Sequence, residues 1–298
     1  MLQYVAEGVI FGSIIALGAI GLSLVYNIMR FPNFAHGDFI SIGAYWGVFI
    51  AGLLVGMGAP VAPFSFGWSM LPALLLAMAA SVAIALVVDR ALYRPIDRRG
   101  GDRKTLIIAA FAASIMLRNA IVIIYGPGDH YFTQAIQLAK PFLPGVRVTN
   151  DEVFVVCVAV VAVIALHMFL THTSRGKQLR ATAENPTLAS INGIDVASVY
   201  RLTWILSTGL AALAGVSFGI IQQIRPEMGF DLLLPMFAAL ILGGVTSIYG
   251  AIFAGVIVGV AESLSVMLWA AEYKQAVSFV VVVLILMIRP HGLFGEKP

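Results

Sequence analysis

The chain has 298 residues, of which 60% are hydrophobic and only 11% are charged. Because a soluble domain carries about 25% charged residues, this composition excludes an ordinary water-soluble protein and indicates an integral membrane protein. The formal net charge of +3 comes from basic residues in short loops between apolar segments, so it indicates membrane topology and does not argue for nucleic acid as a partner.

Apolar segments along the chain predict an all-α fold: a polytopic helical bundle of about nine spans, within a range of roughly eight to ten, with some helices broken. They form a single transmembrane domain over residues 1–298. The predicted spans are residues 5–29, 37–57, 69–92, 105–125, 153–171, 204–222, 232–247, 250–271 and 275–289. The seventh is apolar only up to Leu242, so a broken or re-entrant helix is expected there.

Basic residues orient the bundle. If nine spans alternate in direction, the 89–104 loop with six Lys and Arg, the 171–203 loop with four, and Arg30, Arg289 and Lys297 all lie on one side. Because basic loops stay in the cytoplasm, we predict an outer N-terminus and a cytoplasmic C-terminus.

The first polar break falls at the start of span two, where Asn33, His36 and Asp38 surround Gly37. One interpretation is an ordinary cytoplasmic turn, with the Asp38 charge favourably placed near a helix N-terminus. The other is a broken helix whose polar backbone lines a transport path, as in many transporters.

Two charged positions lie inside predicted spans: Arg118 with Asn119 in span four, and Glu262 in span eight. Charges are costly in lipid and face protein or water. Both a structural pairing and a pathway role therefore stay open. Lys274 is interpreted as an interfacial residue.

The polar interruption over 171–203 carries its own helix signals. Asn185 can cap a helix, Pro186 suits the first helical position, and Asn192-Gly193 can end the helix. A short, capped, basic helix between membrane spans predicts a cytoplasmic surface offered to a soluble partner.

In the C-terminal half, Gly243-Gly244 and the 247–250 segment interrupt an apolar run over 237–262. One interrupted segment in each half predicts a site between two repeats near the middle of the membrane. Small residues at helical spacing predict a tightly packed bundle. The pairs are Gly8/Gly12, Gly43/Gly47, Gly52/Gly56, Gly215/Gly219 and Gly255/Gly259.

The soluble-enzyme motifs GxxxxGK[ST] (the phosphate loop), HExxH and CxxC are absent from the sequence. The five histidines show no metal-ligand spacing, so we predict no catalytic residues and no metal site. An integral membrane protein of this kind is most often a transporter, a channel or an assembly subunit.

Three stretches together identify a family resemblance: NFAHGDF (33–39), GKQLRATAENPTLASINGIDV (176–196) and LGGVTSIYGAIFAGVIVG (242–259). They resemble the permease subunits of branched-chain amino acid ABC importers, of LivH type, over nearly the whole chain and in order. The resemblance implies a permease domain in a bacterial inner membrane, a second LivM-like permease completing a heterodimeric pore, two ATP-binding subunits below, and a periplasmic solute-binding protein above. It implies no cofactor in this chain and ATP in the partner subunits.

The resemblance also assigns residues. The coupling helix for an ATPase would involve Glu184, Asn185, Pro186, Leu188, Ile191 and Gly193. The substrate pathway would include Asn33, His36, Gly37, Gly243 and Gly244. The polar break and the intramembrane charge add Asp38 and Glu262 as further candidates for that pathway. Arg118 departs from the family pattern, where an uncharged polar residue is expected before the asparagine.

Alternatives remain within and outside this family. Related permeases move urea, short amides or aromatic acids. A stand-alone secondary transporter would use its intramembrane carboxylate for coupling to an ion gradient. A passive channel is a third interpretation.

Overall fold

A computed structural model of the chain describes residues 1–54, 63–133, 138–267, 273–289 and 292–294. The first half contains α1 (Leu2–Met29), α2 (His36–Leu53), α3 (Met70–Val88), α4 (Arg94–Arg98), α5 (Arg103–Tyr125), β1 (Lys140–Leu143) and β2 (Val146–Val148). The second half contains α6 (Asn150–His172), α7 (Ser174–Glu184), α8 (Pro186–Ile191), α9 (Val196–Ile221), α10 (Met228–Gly243), α11 (Ile248–Ser265) and α12 (Lys274–Ile288).

Each of the nine predicted spans coincides with an apolar helix, which confirms the helical bundle. Among the described residues, six helical segments are long and apolar enough to cross a membrane: α1, α5, α6, α9, α11, and α3 continued through a π-helical turn into α4. The remaining three are α2, and α10 and α12 with 16 and 15 residues.

The core of the bundle surrounds α1 and α9. In the most apolar stretch of α1, 89% of the residues are buried, and in α9 72% are, against 22% in α6. Since this stretch of α1 is apolar and buried around most of its circumference, it packs mainly against other helices. α6 lies at the periphery, where its apolar surface faces lipid.

Capping side chains fix where several helices begin. Thr149 and Glu152 form a reciprocal capping box at α6, with the Thr149 N–H donating to the Glu152 carboxylate at 2.7 Å. Asp102 accepts from the Thr105 N–H at 2.9 Å at the start of α5. The Thr105 backbone and side-chain hydrogen bonds hold the pKa of Asp102 below its usual range.

Glycines bring the helix backbones together at the predicted small-residue pairs. A Cβ atom on Gly8 would lie 2.6 Å from the Val260 Cα, and one on Gly255 would lie 2.6 Å from the Ala16 Cα, so α1 and α11 pack antiparallel with almost no space between them. Gly52 has no atom within 4 Å of such a Cβ, and Gly56, its predicted partner, lies outside the described residues.

The segment before α10 is tied to the segment after α5. His130 and Ile224 exchange backbone hydrogen bonds of 2.9 and 2.8 Å. The antiparallel pair β1–β2 follows, with Lys140 opposite Val148. The His130–Ile224 pair holds the connection from α9 to α10 in place on the predicted outer side.

We predict that Gly255→Ala lowers stability by about 1–3 kcal/mol, because the added methyl group has no room against α1. The measurement is thermal unfolding in mild detergent. Gly52→Ala is the matched control and should unfold like the unmodified chain. Equal midpoints for both variants would contradict the close α1–α11 packing.

Candidate functional site

Helix α2 begins deep inside the bundle and not at its surface. The His36 Nε2 atom lies 2.9 Å from the carbonyl oxygen of Gly18, which is eleven residues before the end of α1. At 1.5 Å per residue, the connection over 30–35 therefore returns about 16 Å into the bundle. The structure favours the broken-helix interpretation of this segment over a surface turn.

Helix α10 also begins inside the bundle, at the same place. A Cβ atom on Gly37 would lie 2.9 Å from the carbonyl carbon of Gly229, so the first turns of α2 and α10 are in backbone contact. Both residues must be glycine for this approach. We call this contact region the helix-start junction.

Ser41 satisfies backbone groups at the helix-start junction. Its hydroxyl donates to the Pro226 carbonyl oxygen at 3.1 Å and accepts from the Gly229 N–H at 3.0 Å. The first N–H groups of a helix have no partner within the helix, and lipid offers none. One side chain of α2 therefore stabilises the start of α10.

The predicted interruption at Gly243-Gly244 is present between α10 and α11, but it does not lie beside the first one. Gly243 and Gly244 are at the opposite end of α10, about 21 Å from Gly229 along the helix. There Gly243 packs against Gly250 in the tight turn between α10 and α11. These two glycines do not join Asn33 and His36.

The signal for the second helix start was present in the run QQIRPEMG over 222–229. Its polar residues, proline and glycine interrupt the apolar pattern just as residues 30–37 do. Sequence reasoning interpreted the run as an outer loop because no local pattern tells how deep a loop descends.

His36 and Asn33 hold the segment that precedes α2. The buried His36 ring presents Nε2 to the Gly18 carbonyl, which can only accept, so Nε2 carries the hydrogen and Nδ1 faces the Ser207 hydroxyl at 3.5 Å. The Asn33 Oδ1 atom accepts from the Ala35 N–H at 3.1 Å and from the Tyr93 hydroxyl at 3.2 Å. Both side chains thus fix the broken segment to the rest of the bundle.

Asp38 is the buried charge of the helix-start junction. Its carboxylate accepts hydrogen bonds from the Ser114 hydroxyl and, at 3.1 Å, from the Arg118 Nε atom. Its side chain is fully buried, whereas that of Arg118 is 22% exposed. The arginine that departs from the family pattern therefore neutralises the acid in the first turn of α2.

Phe230 completes this arrangement. The Arg118 guanidinium lies over its ring, 4.3 Å from the centroid, and Phe230 itself is exposed. A partly exposed cation thus lies beside the N-termini of two helices, whose dipoles favour negative charge. The arrangement can attract an anionic group such as a carboxylate.

Glu262 lies apart from the helix-start junction. It is buried in α11, three residues before the end of that helix, and accepts a hydrogen bond from the Ser278 hydroxyl of α12. The structure thus divides the predicted pathway residues among three places: the helix-start junction, the α10–α11 turn and the α11–α12 contact.

The polar segment over 171–203 forms two helices where sequence reasoning expected one. Glu184 ends α7, and α8 begins at Pro186, with the Asn185 Oδ1 atom accepting from the Leu188 N–H at 3.0 Å. Gly193, with φ of 82°, ends the turn after α8. The predicted cap, proline position and end are all present.

Apolar side chains on α8 face outward. Leu188 is 56% exposed and Ile191 is 76% exposed. On the inner side, the Arg30 guanidinium donates a hydrogen bond to the Ala183 carbonyl at the end of α7. Arg30 thus connects this surface to the segment that leads into α2.

In the parts of the chain that the structure describes, no group of three or more His, Cys, Asp and Glu side chains is placed to hold a metal ion.

Comparisons with known proteins agree with this geometry. Residues 4–286 match the family described as the permease component of branched-chain amino acid transport systems. The chain is 34% identical over 301 residues to the high-affinity branched-chain amino acid transport system permease protein LivH of Escherichia coli strain K12, covering 99% of this chain and 96% of the relative. It is 32% identical over 306 residues to the permease protein BraD of Pseudomonas aeruginosa, with the same coverage.

Among solved structures, PsaBC from Streptococcus pneumoniae in complex with Fab has a similar fold. The TM-score is 0.52 at 16% identity, with 97% of this chain and 92% of that chain covered. The likeness supports the arrangement of helices.

We predict that Arg118→Gln destabilises the protein more than Asp38→Asn. The first change leaves a fully buried carboxylate without its cation, whereas the second leaves an arginine that water can still reach. Thermal unfolding of the two variants and of the double variant gives a coupling free energy, expected at about 0.5–3 kcal/mol.

The double variant should be more stable than Arg118→Gln alone. Arg103→Gln, an exposed position at the start of the same helix, is the control and should have little effect. Strict additivity of the two changes would show that the ion pair contributes nothing.

Proposed function

The chain belongs to the family of branched-chain amino acid transport permeases, and from that premise we propose its function. It carries leucine, isoleucine or valine across the bacterial inner membrane as the permease subunit of an ATP-driven importer. The observation that carries this proposal is 34% identity over 99% of the chain to a permease of that transport system. The protein is a multi-pass membrane subunit and not an enzyme.

ATP hydrolysis must come from other chains, since this sequence has no phosphate loop. A permease of an ATP-driven importer works with ATPase and substrate-binding partners. Here two ATP-binding subunits would contact α7 and α8, and a periplasmic solute-binding protein would contact the opposite face. The exposed Leu188 and Ile191 support the first contact, because a short helix with apolar side chains suits a groove.

We assign the second half of the pore to a LivM-like permease, so that two permease chains enclose the path. The excess of Lys and Arg in the 89–104 and 171–203 loops supports an outer N-terminus and a cytoplasmic C-terminus.

The substrate path in this chain would pass the helix-start junction, beside Asn33, His36, Gly37 and Asp38. The partly exposed Arg118 would attract the substrate carboxylate, and Phe230 would contact its aliphatic part. Helix N-termini inside a membrane bundle commonly face anionic groups of substrates.

Conformational coupling would follow the hydrogen bond from Arg30 to Ala183. Movement of α8 by an ATPase shifts α7, and Arg30 transmits that shift to the 30–35 segment, where Asn33 and His36 hold the start of α2. ATP binding can favour one state only through contacts that differ between the states. The Arg30 contact is our candidate for such a difference.

The test is reconstitution of the chain with its candidate ATPases, second permease and binding protein in lipid vesicles. We expect uptake of labelled leucine only with ATP, and competition by isoleucine and valine but not by urea or short amides. Uptake by the chain alone, driven by an ion gradient, would overturn the proposal in favour of a secondary transporter.

We predict that Leu188→Asp abolishes most uptake while ATP hydrolysis by the complex continues, because a charge replaces the apolar contact with the ATPase. The measurements are uptake and ATP hydrolysis in the same vesicles. Ser190→Asp is the matched control, since it adds the same charge to the same helix about 200° away from Leu188. Normal uptake by Leu188→Asp would remove the coupling role of α8.

A further inference from the structure

A polar cavity lies in the outer half of the bundle, on a face of α10 different from the one that carries Gly229 and Phe230. Its volume is about 170 Å³. Phe11 of α1, Lys274 at the start of α12 and Glu262 near the end of α11 line it, together with residues on both sides of the α9–α10 connection. We call it the outer cavity.

Opposite charges line the outer cavity without forming a direct ion pair. The buried Glu262 carboxylate accepts from Ser278, and the Lys274 ammonium lies 3.6 Å from the centroid of the Phe11 ring. Each of the two charges acts electrostatically on the other. Among the described residues, however, the ion pairs within 4.0 Å do not include one between them.

A second charge pair lies on the more exposed side of the outer cavity. The Arg225 Nη2 atom is 3.7 Å from the Asp231 Oδ2 atom, and both side chains are exposed. The four groups together carry no formal net charge. A neutral ligand with separated charges therefore suits the cavity better than a simple cation or anion does.

Buried charges that stay apart are costly in a membrane protein, since little solvent reaches them. A ligand with an ammonium group facing Glu262 and a carboxylate facing Lys274 would satisfy both charges at once. The apolar side chains of Phe11, Phe218 and Leu232 would then contact an aliphatic side chain. A dry cavity of about 150 Å³ admits a ring of benzene size, so the outer cavity suits a small amino acid better than a peptide.

We propose that the outer cavity is a binding site for a zwitterionic aliphatic amino acid, distinct from the helix-start junction and on the side where substrate enters. The proposal rests on the proposed function for its substrate class. In this site, Glu262 binds the substrate ammonium group and Lys274 binds the substrate carboxylate.

The test uses the full-length chain purified in mild detergent, without ATPases. Equilibrium binding of labelled L-leucine is measured, with unlabelled 3-methylbutylamine and 4-methylpentanoate as competitors that each lack one of the two charges. We expect saturable binding of leucine and at least tenfold weaker competition by either analogue. Absence of binding, or equal competition by the analogues, would overturn the inference.

Variants then locate the binding. Glu262→Gln keeps an acceptor for Ser278 but loses the charge, and Lys274→Met keeps an unbranched apolar side chain but loses the charge. Each change should weaken leucine binding at least tenfold. Asp97→Asn changes an exposed carboxylate on α4 that does not line the cavity, and it should bind normally. Size-exclusion profiles check folding, and Lys274→Met tests the site if Glu262→Gln fails to fold. Unchanged affinity in a folded variant would overturn the assignment.

Failure of this inference is distinguishable from failure of the proposed function. ATP-dependent leucine uptake by vesicles, without leucine binding to the purified chain, would reject a binding site in the outer cavity and would still support the proposed function. Leucine binding to the chain that requires Glu262 and Lys274, without ATP-dependent uptake, would support the site and reject the importer.

Discussion

The backbone contact between Gly37 and Gly229 is the constraint on which the rest of the bundle depends. It requires two helices to begin inside the protein, where neither water nor lipid can satisfy their first N–H groups. Ser41 supplies one partner across the contact, while Asn33 and His36 fix the polar segment that leads to it. A side chain on either glycine would force the two helix starts apart.

Charge at the helix-start junction follows from the same constraint. An acid in the first turn of α2 is favoured by the helix dipole, but full burial makes its charge costly unless a cation is close. Arg118 supplies that cation from α5, eighty residues away, and Phe230 covers its guanidinium from α10. The ion pair and the Phe230 ring therefore join α2, α5 and α10. The partly exposed Arg118 guanidinium is the positively charged surface at the helix-start junction.

The family membership and the structure explain different parts of the proposed mechanism. Similarity to LivH and BraD over nearly the whole chain supports the transport activity and the need for partner subunits that hydrolyse ATP. The structure adds a physical connection between the proposed ATPase surface and the helix-start junction, since Arg30 lies between the α7–α8 surface and the segment that holds α2. The two exposed apolar side chains of α8 remain available for a partner.

Much of the fold was predictable because its causes are local in the chain. Hydrophobic runs placed the nine apolar helices found in the described part of the chain, and the Asn185 cap with Pro186 placed the start of α8. The additional helix α7 was missed, because the sequence interpretation took Asn185 as the cap of one helix and did not predict that another helix ends just before it.

By itself, then, the sequence determined the helical membrane bundle, its basic loops and the motifs that identify its family, since hydropathy, capping and short motifs act within a few residues. Only the tertiary structure decided that Arg118 pairs with Asp38, that α10 meets α2 at Gly229 and not at Gly243, and that Lys274 lies across a cavity from Glu262. These contacts join residues far apart in the chain. They depend on how deeply each loop enters the bundle and on which faces pack, and no local pattern encodes either.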